Sequence, residues 1–115
     1  MSAPPTILGL DPGTRFLGAA VVRGPELLAY GVHTLRNGER PYDLIGRARN
    51  VVLGYIERYG PQIVAIEAPY QIATKRAAVL STLAQELHER SKELGLCVRE
   101  ISPEEVRRAV TGNPR

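Results

Sequence analysis

Thr6-Ile7-Leu8-Gly9-Leu10-Asp11-Pro12-Gly13-Thr14 joins a short apolar run to a turn-forming tail, the pattern of a buried strand that enters a tight turn. Outward from it, Phe16 to Val22 is again apolar, with small Gly18, Ala19 and Ala20, and Arg23-Gly24-Pro25 separates it from a third run, Leu27 to Leu35. Connections this short join antiparallel strands and not parallel ones, so the first three strands form a meander. From Tyr42 the period changes: Leu44, Ile45, Ala48, Val51, Val52, Tyr55, Ile56 and Tyr59 keep one face of a helix apolar, for about four turns. Gly60-Pro61 ends that helix. Ile63-Val64-Ala65-Ile66 is a continuous apolar run, which predicts a central strand covered on both faces, with Glu67 at its end. Helical spacing resumes from Thr74 to Leu94 and stops at Gly95, and Leu96 to Ile101 is the fifth strand. Ser102-Pro103-Glu104-Glu105 then combines an N-cap, a proline at the first helical position and a glutamate three residues after the cap, which predicts a helix through Val110.

The order is three strands, helix, strand, helix, strand, helix. This is an α/β fold: a mixed five-stranded sheet with a three-strand antiparallel meander followed by two crossover units, flanked by helices. Residues 1–115 are expected to form a single domain, truncated at its C-terminal end, because Thr111-Gly112-Asn113-Pro114-Arg115 follows a helix with no later element to pack beneath it. The 43% hydrophobic and 23% charged content suits a soluble globular protein. No stretch approaches the roughly 20 apolar residues of a membrane span. Met1-Ser2-Ala3-Pro4-Pro5 lacks a basic segment followed by an apolar run, so the cytoplasm is the expected location, with no membrane partner. Cys97, the only cysteine, excludes an internal disulfide and reads as a buried structural thiol inside an apolar run. The net charge is +3, and every basic residue except Lys75 and Lys92 is arginine, whose planar fork suits phosphate. Base composition of a genome produces the same bias, so charge agrees with a nucleic-acid partner without requiring one.

Asp11 and Glu67 each stand at the carboxyl end of an apolar strand, where a carboxylate is costly unless something positive binds it. If strands one and four are parallel neighbours, about 4.8 Å apart, both carboxylates can grip one divalent cation. Hard oxygen ligands select magnesium, with manganese as a substitute, and the lack of a histidine or cysteine cluster argues against zinc. Plainer readings stand beside this one: Asp11 as the cap of a Pro-Gly turn, and Glu67 as a strand-end acid paired with an arginine. No Ser-His or Cys-His arrangement offers a protein nucleophile, and no small-molecule cofactor is expected.

Three blocks carry a resemblance that runs from end to end of the chain. They are Ile7-Leu8-Gly9-Leu10-Asp11-Pro12-Gly13-Thr14-Arg15-Phe16-Leu17-Gly18, Val64-Ala65-Ile66-Glu67-Ala68-Pro69-Tyr70, and Glu105-Val106-Arg107-Arg108-Ala109-Val110-Thr111-Gly112. Together they resemble the RuvC family of Holliday junction resolvases. The first block is shared with the actin and heat-shock ATPase superfamily, in which Asp11 to Thr14 would instead cradle ATP, and the other two supply the specificity. The resemblance implies a ribonuclease H-like fold and four carboxylates that hold two magnesium ions, with Asp11 and Glu67 matching the first two. The family's other two acids lie on a later helix, beyond the end of this chain, so residues 1–115 alone are expected to be inactive or nearly so. The same resemblance implies that Tyr70 stacks on an unpaired base, where a core-filling tyrosine is the plainer reading, that Arg107 contacts backbone phosphate, where a solvated helix arginine is the plainer one, and that the partners are branched DNA and a second copy of the chain. Lys75 and Arg76, just after the Glu67 block, are further candidates for DNA contact, beside the plainer reading of a surface charge pair. Ala68-Pro69 departs from the pair more usual in the family, which implies a differently shaped junction-binding loop. The expected function is therefore an endonuclease of recombination and repair, the alternative being a catalytically inactive nucleic-acid-binding or structural module of the same fold.

Overall fold

The computed structural model describes residues 3–35, 40–67 and 75–101, with Pro41, Lys75, Arg76 and Ala77 described by backbone only. Five strands and two helices follow in the expected order: β1 Thr6–Pro12, β2 Phe16–Arg23, β3 Glu26–Thr34, α1 Pro41–Tyr59, β4 Ile63–Glu67, α2 Lys75–Glu93 and β5 Cys97–Ile101. In space the strands run β3-β2-β1-β4-β5, with β1–β2 and β2–β3 antiparallel and β1–β4 and β4–β5 parallel. The meander and the first two crossover helices stand as the apolar periodicity predicts. The helix expected after Ser102 lies outside the described residues.

Alternation along the strands decides where the core sits. Leu8 and Leu10 of β1, Leu17, Ala19 and Val21 of β2, and Val64 and Ile66 of β4 are buried and share one face of the sheet. Against that face pack Leu44, Ala48 and Val52 of α1 and Leu83, Ala84 and Leu87 of α2. Fully burying one such aliphatic side chain contributes about 1.5–3 kcal/mol, which makes this layer the main source of stability. Helix α1 runs 19 residues, about five turns where four were expected. It starts at Pro41 in the first helical position and stops at Gly60, whose left-handed φ of 57° lets its N–H return to the Ile56 carbonyl at 2.9 Å.

The structure departs from the sequence-based expectation at Cys97 and at β4. Cys97 is exposed, not buried. It opens the edge strand β5 on the side away from the helices, while its neighbour Val98 packs against the core, so the run Leu96-Cys97-Val98 is apolar without being wholly interior. Strand β4 was expected to be covered on both faces, yet among the described residues α1 and α2 cover one. Ile63 and Ala65, on the opposite face, are only half-buried.

Candidate metal centre

The register that builds the core also brings the two acids together. Leu10 of β1 pairs with Ile66 of β4 in parallel, so the next residue on each strand, Asp11 and Glu67, leaves the sheet beside the other. Both belong to the face opposite α1 and α2, because each follows a core-facing residue by one position. Asp11 is exposed and Glu67 half-buried. The Glu67 carboxyl rises from its usual 4.5 to about 7, first because burial disfavours its charged form, then through the hydrogen bond to Asp11 and the repulsion from it. Glu67 thus holds a proton near neutral pH at a point where two carboxylates face one another.

Hard oxygen donors that retain a proton between them fit a divalent cation, which would replace that proton and remove the repulsion. Among the described residues no group of three or more Asp, Glu, His or Cys side chains gathers around an ion position. Asp11 and Glu67 are thus two oxygen donors side by side, of the kind a divalent cation takes.

Across β2, Gly18 is paired with Asp11, and a Cβ at that glycine would lie 3.5 Å from the Asp11 Cβ. Any longer side chain there would press on the carboxylate. In the turn between the strands, a Cβ on Gly13 would come within 2.8 Å of the Phe16 carbonyl oxygen, so only glycine allows this path from Asp11 into β2. An open cavity of about 420 Å³ extends from the two acids over the same face, lined by Gly18, Ala20, Tyr30, Val32 and Phe16. Sequence reasoning missed these apolar lining residues. Their signal was the two-residue alternation of Phe16, Gly18 and Ala20, which needs the β1–β2 register before it can be tied to Asp11.

Lys75 and Arg76 open α2, on the chain that leaves the Glu67 strand end. Tyr70 and Arg107 lie outside the described residues. Neither histidine joins the site: the His33 ring is hydrogen-bonded to the Tyr55 hydroxyl at 2.6 Å, on the helix side of the sheet. No described helix is long and apolar enough to cross a membrane.

The model of one family, crossover junction endodeoxyribonuclease RuvC, matches residues 7–115. The chain belongs to the RuvC family. Its relative from Bacteroides fragilis, a crossover junction endodeoxyribonuclease RuvC, is 32% identical over 112 residues, an alignment that covers 93% of this chain and 60% of that protein. RuvC of T. thermophilus, solved in complex with a Holliday junction substrate, superposes with a TM-score of 0.78 at 26% identity, over 96% of this chain and 71% of that one. The yeast mitochondrial Holliday junction resolvase Ydc2 shares the fold, with a TM-score of 0.64 at 20% identity, over 96% of this chain and 57% of that one. The chain thus spans about 60% of the length of the curated relatives it matches. A RuvC-like mixed sheet flanked by helices is the fold expected from the sequence.

Proposed function

We propose that the complete protein is a divalent-metal-dependent endonuclease that hydrolyses phosphodiesters of branched DNA, the Holliday junction foremost, in recombination and repair. The observation that carries this reading is the juxtaposition of Asp11 and Glu67 at the ends of adjacent parallel strands. Membership of the RuvC family, and a relative solved on a Holliday junction, support the choice of substrate. Asp11 and Glu67 hold magnesium, or manganese in its place, which supplies neutralisation of phosphate charge and activation of water for in-line attack. The chain's own part is to hold both carboxylates on rigid strand ends and to keep the space above Asp11 open through Gly18.

Lys75 and Arg76 receive backbone phosphate in this reading. Cations at a helix N-terminus oppose the helix dipole, and an anion lying there offsets that cost. Tyr70 stacks on an unpaired base and Arg107 meets phosphate near the cut. Two copies act together, since a junction is resolved by symmetric cuts. Residues 1–115 alone provide two carboxylates of the four and do not cleave at a measurable rate.

Incubation of the complete protein with four-way junctions, flaps and linear duplexes in magnesium tests the proposal. Cleavage of the junction in preference to duplex is expected, with binding that weakens steeply as salt rises because phosphate contacts release counterions. Binding independent of salt, or no preference for branched substrates, would overturn the assignment of substrate.

A further inference from the structure

Phe16 is the first residue of β2, directly after the turn that leaves Asp11. Its neighbour Leu17 is fully buried on the helix side, whereas Phe16 is 52% exposed on the opposite side and lines the cavity that holds Asp11 and Glu67. The ring's backbone is fixed at both ends. The Gly13 turn closes tightly on the Phe16 carbonyl, and the Leu35 N–H donates to the Arg15 carbonyl at 2.7 Å, tying the start of β2 to the end of β3. Along the same face β2 continues with Gly18 and Ala20, too small to shade the ring, with Gly9 of β1 beside them and Val32 and Tyr30 of β3 forming the opposite wall. An aromatic ring is thus presented to solvent at a fixed place next to a carboxylate pair, over a shallow floor.

We infer that Phe16 contacts substrate, its ring stacking on the base of a nucleotide that flanks the scissile phosphate. The inference rests on the nuclease reading above. A phosphate attracted by a divalent cation that Asp11 and Glu67 would hold carries its neighbouring bases into the space over the ring, and a planar face is the group that an exposed phenyl ring recognises without regard to base identity. The contact governs how the strand is positioned; the ring takes no part in bond breaking.

The test uses the complete protein in magnesium, with Phe16→Ala, Phe16→Leu and Phe16→Tyr, on four-way junctions that are intact or carry one abasic site at successive positions around the cut. Loss of one stacked base corresponds to a fall of roughly 5- to 150-fold in affinity, which the Ala and Leu variants show and the Tyr variant restores. On the junction that lacks the stacked base, wild type loses the same factor and Phe16→Ala loses nothing further. Phe16→Leu keeps apolar bulk, so it carries the test if the alanine variant fails to fold. Equal losses on every abasic substrate, or a lowered melting temperature with unchanged DNA binding, would mean that the ring is covered by protein and would overturn the inference. If wild type cuts the junction and both ring-deleted variants match it, this inference alone falls. If wild type neither binds nor cuts DNA, the nuclease reading falls and takes this one with it.

Discussion

Glu67 and Asp11 repel one another unless a proton or a cation lies between them, and this makes the pair sensitive to pH. The folded protein keeps the Glu67 proton up to about 7, while an unfolded chain releases it near 4.5. Between those values the folded state binds more protons than the unfolded one, so metal-free stability falls as pH rises from about 4.5 through about 7. A divalent cation competes with that proton. Thermal melts are therefore expected to show a larger rise on adding magnesium at pH 8 than at pH 5, and Glu67→Gln is expected to remove both the pH slope and the magnesium effect. A magnesium shift as large at pH 5 as at pH 8 would contradict this account. At this scale the acids were legible in the sequence, because a carboxylate after an apolar run is conspicuous. Phe16 was not, since its relation to Asp11 depends on which residues face one another across β1 and β2. Cys97 misled because apolar neighbours in the chain do not reveal that a strand lies at a sheet edge.

The polar contacts that join elements among the described residues differ in weight. His33 on β3 and Tyr55 on α1 share a 2.6 Å hydrogen bond, with their rings edge to face, and Tyr55 stacks on Tyr59 one turn later. Burial, and then the neighbouring Tyr59, push the Tyr55 hydroxyl above its usual pKa of 10, so it stays a donor through the physiological range. Tyr55→Phe is expected to cost about 0.5–1.5 kcal/mol in denaturant unfolding, the usual net worth of one such bond. Gly31→Ala is expected to cost more than Tyr55→Phe, because its Cβ would stand 2.7 Å from that hydroxyl and 3.0 Å from the His33 ring nitrogen. By contrast, Arg49 of α1 meets Glu86 of α2 at 3.5 Å on the partly exposed helix surface, and Glu86→Ala should change stability by no more than about 1 kcal/mol. Element bounds followed the apolar periodicity to within a residue or two. The contacts between elements did not, because the partner of a lone histidine is fixed by three-dimensional packing.

For the molecule as a whole, the sheet order places one layer of core beneath the site and leaves the site on the other face. Leu8 touches no part of the acid pair yet lies at the centre of that layer, fully buried. Leu8→Ala is expected to lower stability by about 2–5 kcal/mol, while any protein that remains folded keeps its affinity for metal. The meander was legible because hairpin-length links dictate it, whereas the order β3-β2-β1-β4-β5 was not, since a helical link fixes neither the edge at which β4 joins nor the place of β5 beyond it. Cover on the far side of β4 was overstated, because an apolar run shows which residues avoid water but not what shields them. The central claim is that Asp11 and Glu67 act as one metal centre for phosphodiester hydrolysis. Its most direct test is junction cleavage in magnesium by the complete protein and by Asp11→Asn, Glu67→Gln and the double variant. Residues that serve one ion give strongly non-additive losses, so each single change should bring cleavage to background with DNA binding retained, and the double should lose nothing more. Cleavage that survives either single substitution at the wild-type rate would contradict the account.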